Sequence, residues 1–103
     1  MKTSPLTPRC PIRTTLELLG GKWQLLILDR LGEEAVAFTD LKLRLHPISD
    51  KVLAHTLQRL RESKLVDVVG GKYRRTKAGT ATGPLLAAIV AYGQEYERLL
   101  AET

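Results

Sequence analysis

Apolar residues in the first third of the chain recur at helical spacing. Pro11 suits the first position of a helix, where its missing N–H costs nothing. Ile12, Leu16 and Leu19 follow at intervals of four and three, the pattern of an amphipathic helix, and Gly20-Gly21 ends it. Trp23, Leu25, Leu26, Ile27, Leu28 and Leu31 make the next helix apolar on most sides, so it belongs in the centre of a domain; Gly32 closes it. Ala35 to Phe38 reads as a short non-helical stretch suited to an edge strand. Thr39 is the expected cap of a third helix carrying Leu41, Leu43 and Leu45. Pro47 stops that helix, because the residue before a proline is driven out of the α region. Ser49 caps a fourth helix, whose buried stripe is Leu53, Leu57 and Leu60. Asp50, Lys51, Ala54, His55, Gln58, Arg61 and Glu62 fall away from that stripe.

The period then changes. Leu65-Val66-Asp67-Val68-Val69 and Lys72-Tyr73-Arg74-Arg75-Thr76 are β-prone runs separated by Gly70-Gly71. That arrangement predicts a hairpin, since the tight primed turns need positive φ. A two-residue loop pairs Val69 with Lys72, Val68 with Tyr73 and Asp67 with Arg74. Val66, Val68 and Tyr73 then share one face; Asp67, Val69, Lys72 and Arg74 share the other. From residue 77 to 102 the pattern is again helical, with Pro84 near its start. Leu85, Ile89, Tyr92, Tyr96 and Leu99 alternate by four and three, and Leu86, Val90, Gly93 and Leu100 form an adjacent apolar row. Two rows exceed what packing on a small domain requires, so this helix either lies in the core or meets a second chain.

The element order predicts a mainly α (α+β) fold: a helix-turn-helix over 39–64, a two-stranded wing over 65–76 and a long C-terminal helix over 77–102. At 103 residues the chain is one domain, expected over 10–103 behind a flexible arm at 1–9 that holds two prolines and no periodicity. No apolar run approaches the ~18 residues of a membrane span, and the N-terminus lacks the apolar core of a signal peptide. With a single cysteine and so no intramolecular disulfide, a cytoplasmic location is expected.

Charge sharpens the picture. The chain carries a formal net charge of +5, and all of the excess lies between Thr39 and Lys77. A basic face on an otherwise neutral body suits a polyanion, although a solvated basic surface without a partner has the same composition. A major groove admits one α-helix that presents polar side chains. Ser49, Lys51, His55, Gln58 and Arg59 are the candidates to read bases there. Lys42 and Arg44 on the preceding helix, with Lys72 and Arg74 on the wing, suit phosphates. Aromatic residues make up only 5%, too few for platforms that stack single strands. His46 and His55 have no further ligands at metal spacing, so no metal site and no cofactor is expected. No nucleophile–base constellation, phosphate-cradling loop or paired buried carboxylate points to catalysis. Cys10 sits before Pro11 at a helix start, flanked by Arg9 and Arg13, a setting that favours thiolate; an inert, partly buried cysteine is the plain alternative.

The segment CPIRTTLELLGGKWQLLILDRL resembles the opening of the HxlR family of winged-helix regulators, through Cys10-Pro11 and Gly20-Gly21-Lys22-Trp23. The resemblance continues through Phe38/Leu41, Ile48-Ser49/Lys51/Leu53 and Leu57/Leu60, and reaches Tyr73, Thr76, Gly79, Pro84 and Tyr92-Gly93. It implies a transcriptional regulator, expected to be a repressor, that binds inverted-repeat operators in double-stranded DNA as a homodimer. The first and last helices would hold the dimer, with Ile12, Leu16, Ile89, Tyr92, Tyr96 and Leu99 at the interface. It also implies that Cys10 matches a cysteine some members use to sense oxidants or electrophiles. The chain departs from the family in its minimal Gly70-Gly71 wing turn and in Arg75, where an apolar residue is usual. Thr82-Gly83 replaces an apolar pair before Pro84, a place for the last helix to begin late or bend. A winged-helix module binding protein or RNA, and an enzyme or ligand carrier using a cavity at the dimer interface, are the competing expectations.

Overall fold

The structure, a computed structural model, describes residues 10–102; the arm expected over 1–9 lies outside them. The elements are α1 (Pro11–Leu19), α2 (Lys22–Arg30), α3 (Phe38–Arg44), α4 (Asp50–Glu62), β1 (Val66–Val69), β2 (Lys72–Arg75), α5 (Lys77–Thr80) and α6 (Gly83–Ala101). None of the described helices is long and apolar enough to cross a membrane.

The core forms around α2. Ile27, Leu28 and Leu31 are fully buried and meet Leu41 and Leu45 from the α3 segment, Leu53, Leu57 and Leu60 from α4, and Val66 at the root of the hairpin. Trp23, Leu25, Leu26 and Phe38 pack against its edge. This is the central position expected of a helix apolar on most sides.

The helix-turn-helix is built by local chemistry. Ile48 N–H donates to the Leu45 carbonyl (3.1 Å) across the turn that holds the cis His46–Pro47 bond. Ser49 Oγ then accepts from Val52 N–H at 3.1 Å, capping α4 as its sequence position predicts. The cap of α3 differs from expectation. The helix starts at Phe38 behind Ala37, whose carbonyl accepts from Leu41 N–H (2.9 Å), so Thr39 lies inside the first turn. The reason is tertiary: Val36 is tied to Tyr73 by two backbone hydrogen bonds (2.7 and 2.8 Å), and the chain turns helical directly afterwards. Leu43 stands 75% exposed on the outer side of α3 while Leu41 and Leu45 face inward.

The wing has the expected register, Val69 opposite Lys72, Val68 opposite Tyr73, and Asp67 opposite Arg74. Gly70 and Gly71 take φ of 58° and 78°, the left-handed values the turn requires. Val66 pairs with Arg75, which carries that arginine to the core-facing side of the ribbon. There its Nε is buried without a hydrogen-bond partner among the described residues.

The pattern read as one helix over 77–102 divides into α5 and α6. Pro84 has no N–H for the Thr80 carbonyl, and its ring would clash with that carbonyl in a continuous helix. Thr76 Oγ1 caps the start of α5 by accepting from Gly79 N–H (3.0 Å), and at the break Thr82 Oγ1 donates to the Gly79 carbonyl (2.6 Å). Gly79 is required there, since a Cβ would stand 2.1 Å from the Leu65 carbonyl oxygen. Beyond Leu86, α6 runs out along the surface with no further buried residue.

Candidate nucleic-acid interface

Successive residues of a helix turn by ~100°, so the inward stripe of Leu53, Thr56, Leu57 and Leu60 on α4 leaves an opposite stripe of Lys51, His55, Gln58 and Glu62. All four of the latter are exposed, with Ala54 on one shoulder and Arg59 and Val52 on the other. This brings Lys51, His55 and Gln58 onto one line and places Arg59 beside them. Ser49 stands at the helix start, where its oxygen is engaged in the cap and its hydroxyl hydrogen remains to donate. Val52 and Ala54 add methyl groups, the chemistry that meets a thymine methyl; the sequence pattern had shown Ala54 leaving the stripe but gave Val52 no role.

The phosphate candidates fall into two groups. Lys72 is exposed at the wing tip with no ion pair among the described residues, and Lys51 and Arg59 are equally unpaired. Lys42, Arg44 and Arg74 are already engaged. Lys42 Nζ lies 2.7 Å from Asp50 Oδ1 and so joins α3 to the first turn of α4. Arg44 Nη1 donates to the Arg30 carbonyl at the end of α2 (3.0 Å). Arg74 Nε pairs with Asp67 Oδ1 across the ribbon at 3.3 Å. Lys42 and Arg74 are in exposed ion pairs of the kind worth little, and Arg44 makes one exposed contact to a carbonyl, so none of the three is locked away from a polyanion. Arg61, Lys64 and Lys77, which the candidate set left out, are exposed and free of salt bridges among the described residues. Arg61 and Lys64 share a depression at the wing root with Gln58, Glu62 and Asp67.

Two features had no sequence signal strong enough to find. Glu33, Glu34 and Asp40 line one depression with Arg44 and Lys72, setting carboxylates beside the wing tip. Gln58 Nε2 donates to Glu62 Oε2 at 3.1 Å; the four-residue spacing allows that contact without revealing it.

The apolar candidates lie elsewhere. Ile12 and Leu16 on α1, and Ile89, Tyr92, Tyr96 and Leu99 on α6, are all exposed, with Ile12 at 72% and Tyr92 at 68%. Tyr92 and Tyr96 stack loosely, with ring centroids 6.2 Å apart. Of the α1 stripe only Leu19 reaches the core. Cys10 is an exposed free thiol at the N-cap of α1. No group of His, Cys, Asp or Glu among the described residues could hold a metal ion.

Comparison with known proteins agrees with this geometry. A 94-residue stretch is 27% identical to an uncharacterised HTH-type transcriptional regulator of Methanothermobacter thermautotrophicus, covering 84% of this chain and 72% of that one. The crystal structure of quinone-bound YodB from Bacillus subtilis superposes with a TM-score of 0.75 at 28% identity, over 84% of this chain and 99% of that one. A Porphyromonas gingivalis protein assigned to the MarR family of transcriptional regulators superposes with a TM-score of 0.77 at 26% identity, over 92% and 98% of the two chains. The HxlR-like helix-turn-helix family profile matches residues 18–100, a span that holds the helix-turn-helix, the wing and nearly all of α6 but leaves Cys10 outside. The chain therefore belongs to the HxlR-like helix-turn-helix family of transcriptional regulators.

Proposed function

We propose that the protein is a homodimeric regulator that binds double-stranded DNA at inverted-repeat operators and represses transcription there, acting as a binding protein rather than an enzyme. The observation that carries this reading is the division of α4. Its Leu53–Leu57–Leu60 side is sealed in the core, and its Lys51–His55–Gln58 side stands open to solvent. A helix so anchored can enter a major groove without rearrangement. Lys72 on the wing reaches a flanking phosphate, and Lys51, Arg59 and Arg61 add positive charge along the same element.

The homodimer follows from what α1 and α6 leave uncovered. Ile12, Leu16, Ile89, Val90, Tyr92, Tyr96, Leu99 and Leu100 are exposed on these two helices, and apolar surface of that extent marks an association site. A second copy provides the matching surface. Two-fold symmetry would then set two recognition helices about 34 Å apart on successive major grooves.

Cys10 is proposed as a responsive thiol. The related YodB structure holds a quinone, and Cys10 of this chain is exposed where α1 begins. Addition of the thiolate to such an electrophile, or its oxidation by a disulfide-forming reagent, would alter the helix that the dimer uses.

Mobility shift against the duplex upstream of the protein's own gene, at two salt concentrations, tests the central reading. Binding that weakens steeply with salt supports it. Equal binding to single-stranded RNA, or no binding to duplex, would favour the interaction-module alternative. For Cys10, diamide should lower operator affinity of the wild type and leave Cys10→Ser unchanged; equal affinity before and after oxidation would remove the switch.

A further inference from the structure

The outward stripe of α4 contains one acid, Glu62, among side chains suited to DNA. Glu62 makes no salt bridge among the described residues, although Arg61 and Lys64 share its depression. Its contact is with the Gln58 amide, whose Nε2 donates to Glu62 Oε2 at 3.1 Å. We infer that Glu62 is a positioning residue that fixes the amide of Gln58 in the orientation that reads adenine. This inference rests on the duplex-binding reading above.

The argument is one of donors and acceptors. A free glutamine side chain rotates about three bonds, and its amide presents oxygen or nitrogen on either side. An ionised carboxylate offers acceptors only. It therefore selects the rotamer that turns Nε2 towards it and rejects the flipped one, which would bring two oxygens together. With one N–H on Glu62, Gln58 keeps its second N–H and Oε1. Side by side, these are the donor that adenine N7 accepts from and the acceptor that the N6 amino group donates to in the major groove. Gln58 lies on the same line as Lys51 and His55, and Glu62 follows one turn later, so Glu62 acts through Gln58 without itself touching a base. The negative charge of Glu62 opposes DNA phosphates equally at every sequence. Its effect on affinity and its effect on base choice are thus separable.

The experiment is a selection from a randomised duplex library, sequenced for wild type, Gln58→Ala, Glu62→Ala, Glu62→Asp and the double alanine variant. Gln58→Ala should flatten an adenine preference of about tenfold at one position of each half-site. Glu62→Ala should lower the preference at that same position at least threefold, on the order of the restraint lost, while binding all sequences somewhat more tightly. Glu62→Asp, which keeps the acceptor and the charge, should retain the preference. The double variant should show no loss there beyond Gln58→Ala. The inference is overturned if Glu62→Ala keeps the wild-type preference, if it shifts the preference equally in the Gln58→Ala background, or if the position that Gln58→Ala flattens is not an adenine. A wild type that enriches no motif overturns the duplex-binding reading itself, and that outcome is visible in the wild-type arm alone.

Discussion

Two residues hold positions that their chemistry does not favour. Lys64 adopts φ of 67° where α4 ends, and its carbonyl accepts from Thr76 Oγ1 at 2.6 Å. A side chain with a Cβ costs about 1 kcal/mol in that region, so Lys64→Gly should raise the melting temperature by several degrees, measured by thermal unfolding. Arg75 buries an Nε that has no hydrogen-bond partner among the described residues, opposite Val66. Replacing it with leucine removes the desolvation cost and should stabilise the chain by about 1 kcal/mol, read from urea titration; a loss of stability would mean that the arginine finds a partner in solution. Gly79 has the opposite character. With the Leu65 carbonyl 2.1 Å from where a Cβ would sit, Gly79→Ala should cost about 2 kcal/mol and loosen the wing root first. Arg75 was visible in the sequence as a departure from the family pattern. The Lys64 backbone was not, because nothing about a lysine announces a left-handed turn.

Among the elements, those defined by short-range rules were legible. Ser49 caps α4 because a hydroxyl one residue before a helix has few better uses than the first free N–H groups. Ser49→Ala should therefore cost about 1 kcal/mol and Ser49→Gly only a few tenths, a difference that equilibrium unfolding resolves. The hairpin register followed from Gly70-Gly71 and the period of two. Errors arose where a distant segment decided the boundary. The start of α3 was set by the tie between Val36 and Tyr73, which are far apart in sequence. The division of the last helix was signalled by Thr82-Gly83-Pro84, yet periodicity alone carried the pattern through it. Leu43 matched its neighbours in composition but not in direction, since a helix of seven residues places one such leucine on the far side from the core.

On the scale of the whole molecule, charge and apolar surface are segregated. The excess positive charge is concentrated from α3 through the wing, whereas most of the exposed large apolar side chains lie on α1 and α6, with Leu43 on α3 standing apart. The proposed function needs such a separation, with one face for a polyanion and another for a second copy. Tyr92→Glu, placed where the apolar face is 68% exposed, should shift the protein to monomer by light scattering and weaken operator binding by an order of magnitude or more, because two half-sites would no longer be engaged together. Lys72→Ala should weaken binding to all duplexes alike and reduce the salt slope by about one; an unchanged slope would take the wing tip off the phosphate backbone.

The sequence alone determined the order of elements, the buried stripe of α4, the hairpin register and the confinement of excess charge to the central segment. Each of these follows from neighbours a few residues apart or from simple counting. The tertiary structure decided which cations are free and which are already paired, and which leucines face outward. Those outcomes depend on which surfaces meet when α2 takes the centre, and spacing along a chain carries no record of where a side chain's partners come to lie.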